Sequence, residues 1–212
     1  MSIPRFNVYI FDVDGTLTDS AVDICGSVAL VLEKYNLPPQ SFEFLRSYIG
    51  RHLEALFRDL DADLTSEKNE AMIADYRTIY HGRQHTLTRV YDGVPEMLAG
   101  LPGRKSTGTT KGTPATRIIL EKFGLLQHFE HVQGTDGFPA KPEPDVIMKT
   151  IDLFGVKPED CLYIGDASAD MEAGKRAGVV VCGAGYGYGN HEHMRSFGPD
   201  YWINSPLELL PR

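Results

Sequence analysis

Cysteine is scarce: Cys25, Cys161 and Cys182 are the only three, an odd set with no close pair. That excludes a disulfide framework and a thiolate zinc motif, and it fits a reducing compartment. No uninterrupted apolar run approaches the roughly 20 residues that a membrane span requires. The stretch 1–6 has neither a long apolar core nor a small-residue cleavage site, so no secretory signal is expected there and a cytoplasmic location is. Cations are in the minority, 21 Lys and Arg against 29 Asp and Glu, for a net charge of -8. Such a balance argues against nucleic acid and membrane partners, because both are held by clustered cations. There is also no Gly-x-Ser-x-Gly elbow, no P-loop, no internal repeat and no low-complexity tract. Nothing in the sequence sets an oligomeric state.

What is present is ordinary globular material, 212 residues of which 42% are hydrophobic, enough for one large domain or one domain with an insertion. Val8-Tyr9-Ile10-Phe11 is a short apolar run of strand-forming residues that stops at Asp12-Val13-Asp14-Gly15, as a buried parallel strand does. From Ser20 to about Arg83 the apolar spacing is helical throughout, as in Ile24, Val28, Val31, Leu32 and Tyr35. Afterwards helices and strands alternate. Helices are expected over 93–101, 113–123, 144–154 and 169–177, and strands near 104–109, 129–133, 161–164, 179–182 and 201–203. This pattern predicts an α/β fold, a doubly wound parallel sheet, interrupted by a helical insertion. The expected division is a core of 1–19 and 84–212 with a helical cap domain of 20–83. Ligands of such sheets bind beyond the carboxyl ends of the strands.

Two acid clusters fall at such ends. Asp12 and Asp14 stand two residues apart with Gly15 after them, and Asp166 and Asp170 follow the apolar run Cys161–Ile164 and Gly165. Either cluster alone is as readily an acidic turn or a helix cap. A calcium-binding EF-hand loop is rejected, because its sixth and twelfth positions hold Leu17 and Asp23 instead of glycine and glutamate. Together, the two clusters can converge on a hard, oxygen-seeking cation such as magnesium. Between them, Lys141-Pro142-Glu143-Pro144 presents one lysine at the start of a helix, with a solvated loop lysine as the plain alternative. The glycine-rich Gly183–Gly189 completes no G-x-G-x-x-G frame, and His191-Glu192-His193 is more simply a surface loop than a metal site.

In this order, Asp12-Val13-Asp14-Gly15-Thr16, Lys141-Pro142-Glu143-Pro144 and Gly165-Asp166-Ala167-Ser168-Ala169-Asp170 resemble the haloacid dehalogenase superfamily of phosphatases, and within it the phosphoglycolate phosphatase group. The resemblance extends over nearly the whole chain. It implies a Rossmann-like core and a magnesium-dependent phosphatase acting on a small phosphate ester through an aspartyl phosphate. Asp12 is then the nucleophile and Asp14 the general acid and base. Magnesium is held by Asp12, Asp166 and the main-chain carbonyl of Asp14. Lys141 binds the phosphoryl oxygens, and Asp170 orients Lys141 or the metal shell. The family's second motif, a serine or threonine ending an apolar strand, is met here by an unusually polar stretch, 104–111. Thr109 is its best match, with Thr110 beside it as a further phosphate-binding residue and Thr107 as the competing register. Arg51, at a glycine break between cap helices, is the candidate for contacting a second anionic group of the substrate. A phosphosugar mutase, a pyrophosphatase and a non-catalytic binding module stay open as alternatives.

Overall fold

The computed structural model describes residues 3–210. Strand β1 (Val8–Phe11) is buried along its whole length, as a β-branched and aromatic run in the middle of a sheet must be. A short strand β2 (Thr18–Asp19) leads into four consecutive helices, α1 (Ala21–Lys34), α2 (Phe42–Arg46), α3 (Leu53–Leu60) and α4 (Ser66–Gly82). The chain returns through β3 (Arg89–Val90), which pairs antiparallel with β2. The outgoing and returning linkers of the helical insertion are thereby stitched to each other. Then follow α5 (Val94–Gly100), β4 (Arg104–Thr107), α6 (Thr113–Lys122), α7 (Asp145–Phe154), β5 (Cys161–Gly165), α8 (Ser168–Ala177), β6 (Val180–Ala184), α9 (His191–Ser196) and β7 (Tyr201–Ile203).

Five strands form one sheet in the order β4-β1-β5-β6-β7, every pairing parallel. Alternate residues of each strand enter different cores, as the two-residue period requires. Tyr9, Phe11, Leu162 and Ile164 join one cluster, while Val8, Ile10, Cys161 and Tyr163 join the other. Both faces are covered, which is what makes the fold doubly wound. The first cluster runs on into the insertion through Val28, Leu45, Phe57 and Met72, so the helices share a core with the sheet.

One expected strand is corrected. Residues 129–133 run beside β4 but contribute only an isolated bridge, His131 to Ser106. The reason lies in Thr107, whose hydroxyl donates to the Gln133 carbonyl and accepts from the Gln133 N–H, each at 2.9 Å. A side chain thus takes the place of the ladder there. The polarity of β4 has the same root, because β4 is an edge strand. Lys105 folds its ammonium onto the carbonyls of Leu101 and Gly103, and Arg104 lies 3.7 Å over the Phe154 ring. Polar heads reach partners at the edge while their stems stay covered.

Candidate active site

Asp12 begins where β1 ends, and its N–H still continues the ladder by donating to the Ile164 carbonyl. Asp166 occupies the same position after the neighbouring β5, so two adjacent parallel strands deliver their carboxylates to one point. Gly15, at φ +89°, is what permits the approach: a side chain there would overlap the Asp166 carboxylate. Asp170 joins from the first turn of α8. Its Oδ2 accepts from the Ala167 N–H at 2.8 Å, and its Oδ1 accepts from Lys141 Nζ at 2.5 Å. Lys141 Nζ also donates to the Tyr163 hydroxyl at 3.1 Å and pairs with Asp12 Oδ1 at 3.1 Å. All three ammonium protons are therefore directed within the site. None of Asp12, Lys141, Asp166 and Asp170 exceeds 4% exposure.

Burial on this scale sets the electrostatics. Desolvation lifts the Asp12 carboxyl to about 6, with Lys141 and Thr109 pulling it down and Asp170 and Asp14 pushing it further up. Asp166 is displaced well above the usual carboxylate range, first by burial and then by Asp170 and Asp12, against hydrogen bonds from Tyr188 and Thr16. Burial opposes the Lys141 charge, yet Asp12 and Asp170 more than offset it and raise that group. One oxygen each of Asp12, Asp166 and Asp170 lies within 4.8 Å of the others, the only such group of potential metal ligands among the described residues. Lys141 pairs with Asp12 and Asp170 but not with Asp166, and Asp12 Oδ1 has no well-aligned hydrogen bond. A divalent cation fits this donor set by charge and by oxygen chemistry.

Asp14 turns away from that centre. Ser20 Oγ donates to its Oδ1 at 2.6 Å, and Lys111 Nζ pairs with its Oδ2 at 3.1 Å. Ser20 is the residue that precedes α1, and its hydroxyl makes no capping bond to the helix. The Tyr188 hydroxyl serves instead, accepting from the N–H groups of Ser20 at 2.6 Å and Ala21 at 3.1 Å. The Tyr188 N–H in turn donates to Asp166 Oδ2 at 2.8 Å. The glycine-rich stretch 183–189 is thus a buttress that passes against Asp166, where Gly187 and Gly189 leave no room for a side chain.

A cavity of about 580 Å³ opens between these residues and the insertion. Asp12, Asp14, Thr109, Thr110 and Lys111 line its core side, while Tyr48, Gly50, Arg51, Arg77 and Tyr80 line the other. Thr109 is buried beside Asp12, whereas the Thr107 hydroxyl is spent on Gln133. The Thr110 hydroxyl donates to the Gly50 carbonyl at 2.9 Å, a bond between core and insertion. Arg51 is exposed at the cavity wall, its guanidinium 5.4 Å from the Tyr48 ring centre. His191 and His193 sit in the first turn of α9, His191 against Trp202, and neither joins the group of potential metal ligands. Sequence reasoning missed Lys111, Tyr163 and Tyr188. Lys111 stood next to the two candidate threonines, and the tyrosines alternating with glycines at 185–189 were a signal of a packed loop.

The family model described as haloacid dehalogenase-like hydrolase matches residues 9–184. Phosphoglycolate phosphatase 1 of Pseudomonas aeruginosa is 32% identical over 99% of this chain and 79% of its own length. The pyrophosphatase PpaX of Halalkalibacterium halodurans is also 32% identical, over 97% of this chain and 96% of its own. The crystal structure of a predicted phosphatase from Clostridium acetobutylicum superposes with a TM-score of 0.89 at 29% identity, covering 97% of either chain.

Proposed function

We propose that this chain, which belongs to the haloacid dehalogenase-like hydrolase family, is a magnesium-dependent phosphatase whose substrate is a small phosphate ester with a second anionic group, phosphoglycolate first among them. The observation that carries this reading is the pairing of a buried Asp12, flanked by Lys141, with an Asp14 that faces the same cavity from two residues away.

Asp12 as a carboxylate attacks phosphorus, forming the Asp12 Oδ–P bond as the ester P–O bond breaks and Asp14 gives its proton to the leaving oxygen. In the second step Asp14, now ionised, takes a proton from a water whose oxygen bonds to phosphorus. The Asp12–P bond breaks, and inorganic phosphate and the original carboxylate result. Asp12, Asp166 and the Asp14 carbonyl would hold magnesium, which when bound supplies charge that offsets repulsion between the anionic nucleophile and substrate. Lys141 and Thr109 bind the phosphoryl oxygens. Asp170, through its 2.5 Å contact, holds Lys141 in place. The insertion 20–83 acts as a cap over the core of 1–19 and 84–212, excluding water from the reacting centre. On its side of the cavity Arg51 and Arg77 form no ion pair among the described residues, which favours a leaving group with its own negative charge.

The test is phosphate release from phosphoglycolate, pyrophosphate and an aryl phosphate, with and without magnesium. Magnesium-dependent turnover with phosphoglycolate preferred, lost to background in a folded Asp12→Asn protein, is the expected result. A preference for pyrophosphate overturns the substrate, and activity retained in Asp12→Asn overturns the covalent route.

A further inference from the structure

The site contains a second buried cation that the chemistry above does not use. Lys111 has a side chain only 10% exposed, and its ammonium lies 3.1 Å from Asp14 Oδ2. Its other neighbour comes from the insertion: Lys111 Nζ donates to the Tyr80 hydroxyl at 3.3 Å and lies 4.5 Å from the centre of that ring. Tyr80 is itself fixed, stacked on Tyr76 at 5.5 Å and met edge-on by His85 at 4.7 Å. The Lys111 backbone is pinned from the core, its carbonyl accepting from the Thr135 N–H at 3.1 Å with Gly134 packed where no side chain would fit. A flexible four-carbon chain is therefore held at both ends.

We infer that Lys111 is a positioning residue for Asp14, orienting the carboxyl group that serves the leaving oxygen and doing so only while Tyr80 of the insertion backs it. This rests on the hydrolytic reading above and adds a residue to it. The geometry is specific. Asp14 has two oxygens, one tied to Ser20 at the entry of α1 and the other to Lys111 just beyond β4, so its plane is set by two elements that meet only in the folded protein. Ser20 alone leaves the carboxyl free to swing about a single hydrogen bond. Proton delivery tolerates little misplacement, because the donor must lie within hydrogen-bonding reach of the ester oxygen. The Lys111–Tyr80 contact also makes that orientation depend on the position of the insertion, so the proton donor is set correctly when the cavity is covered.

The experiment measures kcat/KM for ethyl phosphate and for p-nitrophenyl phosphate, two esters without a second anion. Ethoxide needs a proton to leave and nitrophenolate hardly does. A residue acting through Asp14 must therefore matter far more for the first. Lys111→Met is expected to lose roughly a hundredfold on the ethyl ester and less than about fivefold on the aryl ester, and Lys111→Arg to regain most of the loss. Tyr80→Phe keeps the ring and is expected to show the same selectivity with a smaller loss, which supplies the reading should Lys111→Met fail to fold. Equal losses on both esters in folded variants, or no loss on either, overturn the assignment while leaving the hydrolytic reading standing. Should wild type act on phosphoglycolate but not on ethyl phosphate, phosphoglycolate, whose alkoxide equally needs a proton, takes the ethyl ester's place in the comparison; phosphate release from none of the three overturns both.

Discussion

Thr107 and Thr109 show how two like residues two positions apart acquire different work. Residue order leaves both eligible for phosphate, since a strand sends both to the same side. Their partners separate them: Thr107 satisfies both backbone groups of Gln133, and Thr109 lies beside Asp12 in the cavity wall. Thr107→Val is thus expected to lower stability by about 1–3 kcal/mol, because it leaves the half-buried Gln133 N–H without its partner and its carbonyl with only the long 3.4 Å bond from the Thr109 N–H. Thr109→Val is expected to leave the urea midpoint nearly unchanged and to lower kcat/KM. Urea unfolding and phosphate release on the two variants check this, and a Thr107→Val protein of full stability and low activity reverses the two assignments.

The element whose placement matters most is α1, and a buried acid near its start ties it to the returning linker. Asp23 is fully buried; its Oδ1 accepts from Arg83 Nε at 3.2 Å, and its Oδ2 accepts from the Leu87 N–H at 3.0 Å and the Thr88 hydroxyl at 2.8 Å. Burial works to raise this carboxyl, but the hydrogen bonds from Thr88, Arg83 and Leu87 and the Arg83 charge hold it below its ordinary value of 3.8. A carboxyl lowered by folding binds its proton more weakly in the native state, so its stabilisation is complete above the ordinary value and is lost as pH falls through the native one. Asp23→Asn keeps the shape, sets an amide among donors and is expected to cost about 1–3 kcal/mol near neutrality. The gap in melting temperature between wild type and variant should hold steady above about pH 5 and close as pH drops below the ordinary value of 3.8. A gap that widens on acidification removes Asp23 from that role. The sequence read this acid only as the wrong residue for a calcium loop, because the linker it grips is some sixty positions away.

At the scale of the whole molecule, the acidic centre gathers like charges whose repulsion a bound divalent cation would relieve. Three buried carboxylates, only two of them paired with Lys141, repel one another, so a divalent cation that binds only the folded chain stabilises it by an amount that grows with the logarithm of its concentration. At a hundredfold excess over Kd the gain is about 2.7 kcal/mol, a rise of roughly 5–10 °C for a chain of this size. Asp166→Asn is expected to melt no lower than wild type without metal and to show no rise when magnesium is added; an undiminished rise places the cation elsewhere. The positions of Asp12, Asp14, Lys141, Asp166 and Asp170, the alternation of strands and helices and the helical insertion were legible in residue order, because strand ends, glycine turns and apolar periods are local signals. The residues that aim those groups were not. Lys111 meets Asp14 and Tyr80, Tyr163 meets Lys141, and Tyr188 caps α1 while supporting Asp166, each across a separation that only the closed chain spans. Sequence by itself determined which chemical groups stand at the ends of the strands, since φ/ψ preference and hydrophobic period act within a few residues. Tertiary structure alone decided which charge faces which, since Coulomb and hydrogen-bond partners are chosen by distance in space and by the dielectric that burial creates.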